Sequence, residues 1–492
     1  MEALQRLHNR GSISTGYTID NSFVQEYNST RRVSMLYGGF GGSAPTNTKA
    51  TISFWFKWAG TNAGGANWKM IDTQNSQFGV INPDDATYQG AIYCAGQNES
   101  LFKLVSTAKF RDTSAWYHMC AIFDSTLSTA SDRVKIYVNG VRVTDFTTAN
   151  YPAQNASFRH IGENTTHHVG HDVNAGKPYA YYADMYYIFD QAKDVTDFGE
   201  FDEDTGIWKP IEYTGTFGSY GYYWDFSNAS NYAEDQSGTA SGTSQMTEQS
   251  ISTTTAMQST DTPTNNFCIP QVTQAYSSTD TILFTEGGTK LTTGSGTGWR
   301  TMHPTMSLAN GKWYFEVEAP ATNPTSSSIM IAITPTKRWT ESAYAHFYAG
   351  QASGDGLGWY LDSTRFRYDD GTAITPPTNT LNAGDIIGIA LDMDNNFVYS
   401  SINGSWLQNQ SSVTGVPTSG VSGTGAETIS DEPHMIGISM YSPSKTININ
   451  YGGYTTISIA SGNSDANGYG NFEYAPPSGY YALCSKNLAE FG

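Results

Sequence analysis

Two carboxylates, Glu316 and Glu318, stand at i and i+2 in the run GKWYFEVEAP, residues 311–320. Strand side chains alternate, so both lie on one face with Tyr314, opposite Trp313, Phe315 and Val317. A general acid paired with a second carboxylate on a sandwich face is the arrangement that cleaves glycosidic bonds. No third carboxylate completes an acidic row here, so the pair reads as a solvent-facing polar edge. His167, His168 and His171 with Asp172 form the one cluster of metal-ligand type. Adjacent histidines point apart and HHVGHD lies among Gly and Asn, so a solvated loop is expected. Asp72, Asp84 and Asp85 read as loop carboxylates, and no metal or cofactor is expected. No Ser-His-Asp set can be assigned and no Gly-rich phosphate loop follows a strand. Binding is better supplied. The loop from Pro335 to Gly358 holds Trp339, Tyr344, His346, Phe347 and Tyr348, followed by Gln351 and Asp355. Rings offer contact area with few rotatable bonds, and the polar side chains offer directional hydrogen bonds to hydroxyl groups. The expectation is therefore a partner or glycan site rather than an active site.

The elements that must position these residues are strands. Aromatics reach 13% and charged residues only 14%, while the residues that favour surface helices are scarce, which makes the composition all-β. TISFWFKWAG alternates Ile52, Phe54 and Phe56 against Ser53, Trp55 and Lys57, giving one buried face and a partly aromatic second face. AWYHMCAIFD is apolar on both faces and reads as a central strand. In RVKIYVNGVRV the alternation of Val134, Ile136 and Val138 stops at Asn139-Gly140 and resumes, a hairpin whose two turn residues tolerate φ > 0. Strands also read over Arg159 to Gly162 and Tyr181 to Asp190. The later half repeats the theme. SIMIAIT precedes the aromatic loop, GWYLDSTRFRYDDG reads as a hairpin, GDIIGIALDMD as a doubly buried strand, and NNFVYSSINGSW runs to Asn403-Gly404.

A chain of 492 residues exceeds what one core serves, and two sandwiches fit it. The polar run from Asp225 to Thr281 divides them: few apolar residues precede Phe267, and no strand or helix period is present. The expected organisation is an arm over 1–16, a sandwich over 17–225, a Ser/Thr/Gly-rich linker over 226–281 and a second sandwich over 282–492. Net charge of −19 argues against nucleic-acid binding, which needs a basic surface. Cys94, Cys120, Cys268 and Cys484 show no metal spacing, and Cys120 falls inside an apolar strand, so no disulfide framework is expected. The start MEALQRLHNRGS has Leu4 and Leu7 but no continuous apolar core, so it does not read as a secretory signal, and no run reaches membrane-spanning length.

SFWFK, AWYH, VKIYVNG, RHIG and ADMYYIFD, in this order, resemble the concanavalin-type laminin-G/pentraxin sandwich. That resemblance implies a jelly roll of two antiparallel sheets that binds glycans or proteins at its loops. Its calcium site finds no matching acidic set here. GKWYFEV, IMIAIT, GLGWYLD, GDIIGIALDMDNNFVYSSING and HMIGISM resemble the SPRY domain, a second two-sheet sandwich, mainly an interaction module. DTPTNNF, WDFSNASNYAEDQSG and YGNFEYAPPSGYYALCSKNL are similar to segments around SPRY domains in structural proteins of tailed bacteriophages. The resemblance implies a non-enzymatic virion protein, a tail fibre, tail-associated protein or capsid surface fibre, made in the host cytoplasm. Its partners would be other virion proteins and a host-surface glycan or protein, and by analogy it would be a homotrimer. A secreted carbohydrate-active sandwich enzyme and a lectin-like extracellular interaction protein are the alternatives.

Overall fold

Lys49–Trp58 forms the strand its alternation predicts, with Ile52, Phe54, Phe56 and Trp58 facing the first core. In the computed structural model the described residues are 16–25, 33–36, 47–60, 70–72, 76–81, 87–158, 166–170, 179–238, 257–271, 282–296, 299–320, 329–337, 356–361, 367–369, 372–374, 381–408, 411–420, 427–441 and 443–492. They divide between a unit of Ser14–Thr264 and a unit containing Asn265–Gly492. Each is a sandwich of two largely antiparallel sheets, the first with a further two-stranded sheet of Gly199–Phe201 and Trp208–Pro210, so the protein is all-β, and the short helix Ser485–Phe491 lies near its end. Among the described residues no helix is long and apolar enough to cross a membrane.

In the first unit one sheet runs in the order Val141–Val143, Val134–Val138, Tyr117–Asp124, Lys49–Trp58, Ala180–Phe189, Ser22–Gln25 and Gln258–Ser259, with Tyr222–Trp224 beside Ala180–Phe189. The other runs Phe146–Asn150, Phe102–Lys109, Ala91–Gly96, Gln77–Val80, Ile71–Asp72, Thr166–Val169 and Val33–Leu36. Their inner faces meet in an aromatic core, where the Phe54 and Phe78 rings cross edge to face at 5.8 Å. The outer face of Lys49–Trp58 is not half-exposed as its alternation suggests: Ser53, Trp55 and Lys57 are buried too. Trp208 and Asp261 bond to groups on this face, so two later chain segments cover it.

The second unit pairs a large sheet, in the order Ile282–Thr285, Lys290–Thr293, Thr446–Asn450, Lys312–Glu318, Ile386–Asp392, Phe397–Ile402, Ser405–Gln408 and Ser411–Thr414, with a smaller one. The smaller runs Arg300–Met302, His434–Met440, Ile329–Pro335, Leu357–Tyr360, Arg367–Asp369 and Thr372–Ile374. Ile386–Asp392 is buried along its whole length, as expected of GDIIGIALDMD.

Both Asn-Gly turns form as read, with φ of 47° and 76° at Asn139-Gly140 and 48° and 75° at Asn403-Gly404. The two share a device that sequence does not display. Asn139 Oδ1 accepts from the backbone N–H of His118 at 2.7 Å, and Asn403 Oδ1 accepts from that of Ile386 at 2.9 Å. Each asparagine thus fixes the start of a hairpin strand while its own backbone makes the turn.

The expected linker over 226–281 is corrected. Phe226, Tyr232, Ala233 and Met257 belong to the first core, and Gln258–Ser259 is an edge strand beside Ser22–Gln25. Phe267, Cys268 and Ile269 are buried in the second unit, where Cys268 N–H donates to Leu483 at 2.9 Å. The boundary between the two units therefore falls between Thr264 and Asn265 in the sequence, and residues 239–256 and 272–281 lie outside the described ones. Polarity concealed the packing: Asp261, Thr262 and Thr264 are buried with their polar groups hydrogen-bonded, and such segments carry little apolar signal. All four cysteines are buried as thiols.

Candidate functional site

The aromatic loop predicted as the contact site leaves the sheet at Pro335 and returns at Leu357, on strands paired Ile333 to Leu357. Trp339, Tyr344, His346, Phe347, Tyr348, Gln351 and Asp355 lie outside the described residues. The neck of the loop is a polar collar. Thr336 N–H donates to Pro433 at 2.8 Å, Ser307 and Thr336 share a hydroxyl hydrogen bond of 2.7 Å, and Lys337 Nζ lies 2.6 Å from Glu432. The chain is thereby fixed where it enters the loop, and the pairing of Ile333 with Leu357 holds it where it returns.

The Glu316/Glu318 pair is corrected. Glu316 is fully buried, not solvent-facing, because the C-terminal segment folds over its face. Its carboxylate accepts from Tyr474 N–H at 2.8 Å, Glu473 N–H at 3.0 Å, Tyr314 OH at 3.0 Å and Asn450 Nδ2 at 3.3 Å. Glu318 accepts from Asn448 Nδ2. Both carboxylates serve as internal acceptors, and Glu316 has no route to a glycosidic oxygen.

The histidine cluster is corrected as well. His167 and His168 lie in the strand Thr166–Val169, buried rather than solvated, with His168 opposite Asp72, itself a buried strand residue. The His167 ring meets the edges of Tyr187 and Tyr222 at 5.4 and 6.1 Å, and burial, then the neighbouring His168, pushes its pKa down to about 3. It is a neutral core residue at physiological pH. His171, Asp172, Asp84 and Asp85 lie outside the described residues.

Three polar sites of the first unit escaped sequence reasoning. The first resembles a nucleophile and base: Ser53 Oγ and His118 Nε2 are 2.8 Å apart. The tautomer forbids that role. Trp208 Nε1–H donates to His118 Nδ1 at 3.0 Å, an indole is only a donor, and so the ring proton resides on Nε2 and points at Ser53. A serine nucleophile needs the opposite arrangement, with a carboxylate at Nδ1 and a lone pair facing the hydroxyl. Burial also drives the His118 pKa down to about 3.

The second is a buried carboxyl in a cage of phenols. Asp184 occupies a bulge in Ala180–Phe189 with φ of 51°, a conformation that aspartate tolerates better than most residues. It accepts from Tyr223 at 2.6 Å, Tyr17 at 3.0 Å and Tyr186 at 3.1 Å. Burial raises its pKa to about 6 against the pull of these donors, and the nearby Asp225 adds to the rise. The proton is thus held more tightly in the folded state than in the unfolded one, near 3.8. This stabilisation is complete below the unfolded value and is lost as pH rises through about 6. Stability of the first unit is expected to fall by about 2 kcal/mol between pH 4 and 7 from this group. Denaturant titrations at several pH values should show that slope, and Asp184→Asn should flatten it; an unchanged slope in the variant would place the effect elsewhere.

The third lies on the outer face of the Phe102–Lys109 and Ala91–Gly96 strands. Tyr88 and Tyr93 cross edge to face at 5.5 Å, and Lys103 Nζ sits 6.0 and 5.4 Å from their centroids. Glu99 is the counterion of Lys103 at 2.9 Å and the acceptor of the Tyr93 hydroxyl, whose hydrogen bond holds its carboxyl below the ordinary range. Lys109 Nζ and Arg111 Nε donate to the carbonyls of Tyr88 and Gln89 at 2.6 and 2.9 Å and fix the turn that carries Tyr88. The half-buried Tyr88 ring beside a partly exposed ion pair makes a small ledge where a planar group can pack and Glu99 can accept from hydroxyls. Tyr93 inside AIYCAG offered a faint signal, but Tyr88, Glu99 and Lys103 meet only through sheet pairing.

Residues 40–193 match the model of the concanavalin A-like lectin/glucanases superfamily. The match contains the Ser53–His118 pair and the tyrosine ledge. Among solved structures, the chain is similar to the SPRY domain of human HERC1, at 16% identity over 34% of this chain and 91% of that one, with a TM-score of 0.26. It is also similar to a human SPRY domain, at 15% identity over 33% and 91% of the two chains and a TM-score of 0.23. A heptameric SAP-like pentraxin from Limulus polyphemus gives 12% identity over 36% and 80%, with a TM-score of 0.25. No curated protein matches the chain.

Proposed function

We propose that this chain is a non-enzymatic binding protein, carried on a virion of a tailed bacteriophage as a tail fibre, tail-associated or capsid surface fibre, that presents its sandwiches to a host-surface glycan or protein. The observation that carries the carbohydrate-binding reading is the match of residues 40–193 to the concanavalin A-like lectin/glucanases superfamily, which holds binding proteins and enzymes alike. The locked tautomer of His118 and the burial of Glu316 support it, because the two constellations nearest to catalytic ones are committed to internal hydrogen bonds. The virion reading rests on the phage-like segments around the second unit. In this reading Trp339, Tyr344, His346, Phe347, Tyr348 and Asp355 form the contact loop, the chain is a homo-oligomer that associates with other virion proteins, and the work is done outside the cell.

The test is binding of the labelled full chain to host cells and to a panel of glycans. Replacing Trp339 and Tyr344 with Ala is expected to weaken attachment at least tenfold, about 1.4 kcal/mol, with the melting transition almost unmoved. Unchanged attachment would remove the loop from the contact, and release of reducing sugar by the wild type would defeat the non-enzymatic reading.

A further inference from the structure

We propose that Lys57 and Asp261 condense to an intramolecular amide, closing the first unit covalently. Lys57 lies in the central strand Lys49–Trp58, and Asp261 follows Gln258–Ser259 at the end of the unit, 204 residues away. Their side chains are 0% exposed and Nζ is 2.8 Å from Oδ2. Two opposite charges taken fully out of water lose much of their solvation energy, which the pair recovers only through its own close contact. When a proton passes from Nζ across this 2.8 Å contact to the carboxylate, the amine becomes a nucleophile held beside the carboxyl group that it attacks.

The surroundings suit that step. Trp116 Nε1–H donates to Asp261 Oδ1 at 3.0 Å, so a donor already faces the oxygen on which negative charge develops when Nζ attacks Cγ. The rings of Trp116 and Tyr181 meet edge to face at 6.1 Å, and Lys57 Nζ lies 5.7 Å from the Tyr181 centroid, walling the pair with aromatic carbon. The aspartate is held from both sides of its backbone: its N–H donates to Ser259 Oγ at 2.9 Å and its carbonyl accepts from Ser22 Oγ at 2.6 Å. The Nζ–Cγ bond forms, the Cγ–Oδ2 bond breaks, and the two protons that the ammonium gives up leave with Oδ2 as water. No oxidant, reductant or cofactor enters. The amide replaces two buried charges by a neutral group and constrains the unfolded chain through a very long loop.

The experiment is the intact mass of the full wild-type chain, purified folded and then denatured, followed by peptide mapping. The expected result is a mass one water below that of the linear sequence and a branched peptide joining Lys57 to Asp261. Lys57→Arg and Asp261→Ala should each return the full linear mass, a readout that does not depend on whether the variants fold. A wild type of full linear mass, with Lys57 in a linear peptide, overturns the proposal. So does a missing water that maps elsewhere, such as a succinimide at Asp355-Gly356 or Asp370-Gly371, or one that persists in Lys57→Arg.

Discussion

Glu316→Ala is expected to destabilise the second unit by about 4 kcal/mol, a shift of roughly 10 °C in its melting transition. The side chain is 0% exposed and gathers four donors from three places in the sequence, two of them the adjacent backbone N–H groups of Glu473 and Tyr474. Truncation leaves those donors buried without an acceptor, and each such group costs about 1–3 kcal/mol, partly relieved where water enters. The loss would spread, because the segment held by Glu316 also lays Phe472, Tyr480, Ala482 and Cys484 against Tyr314, Ala390 and Tyr399. Glu316→Gln keeps one acceptor oxygen and should cost about half as much. Acid should not mimic the truncation. Burial raises the pKa of this carboxyl despite its donors, so its ionisation lowers stability as pH rises and protonation does not release the segment. Chemical denaturation of the full chain, followed by tyrosine and tryptophan signals, measures the effect. A loss under 1 kcal/mol for Glu316→Ala would return the residue to the solvent-facing role that its strand pattern suggests.

The second large effect is expected at Trp208, where replacement by Ala should cost the first unit about 4 kcal/mol. The ring is 7% exposed, stacks on His118 at 5.8 Å and meets Phe201 edge to face at 5.0 Å. Gly140 and Gly199 lie so close to it that a Cβ at either would collide with the indole. Trp208→Phe separates packing from hydrogen bonding. It retains most of the ring but removes the N–H, and should cost about 1–2 kcal/mol. Its decisive readout is the pair of His118 ring nitrogens in NMR: the wild type should show protonation on Nε2 alone, and the variant a mixture of tautomers. Unaltered nitrogen shifts in Trp208→Phe would mean that the indole does not set the tautomer, and Ser53 would regain a possible proton acceptor.

The sequence by itself determined a great deal of the framework. Alternation in TISFWFKWAG identified the residues that face the first core, and the apolar run GDIIGIALDMD identified a strand buried on both sides. Asn139-Gly140 and Asn403-Gly404 located two hairpins, because a turn of that kind depends on neighbouring residues alone. These are short-range properties, carried by period and by local backbone preference.

What only the tertiary structure decided is which strand faces are covered a second time. Glu316, Ser53, Lys57 and His167 occupy positions that pattern assigns to a second face or a loop, and all are buried, as is His118 in a strand read as central. Their covers come from far along the chain: residues 473–474 for Glu316, Trp208 for His118 and Asp261 for Lys57. The same reason defeats the linker reading over residues 226–238 and 257–271, since polar residues that satisfy one another inside a unit look, one by one, like residues that prefer water. Period two states which side chains share a face. Whether that face meets solvent is set by contacts between distant segments, which no local pattern records.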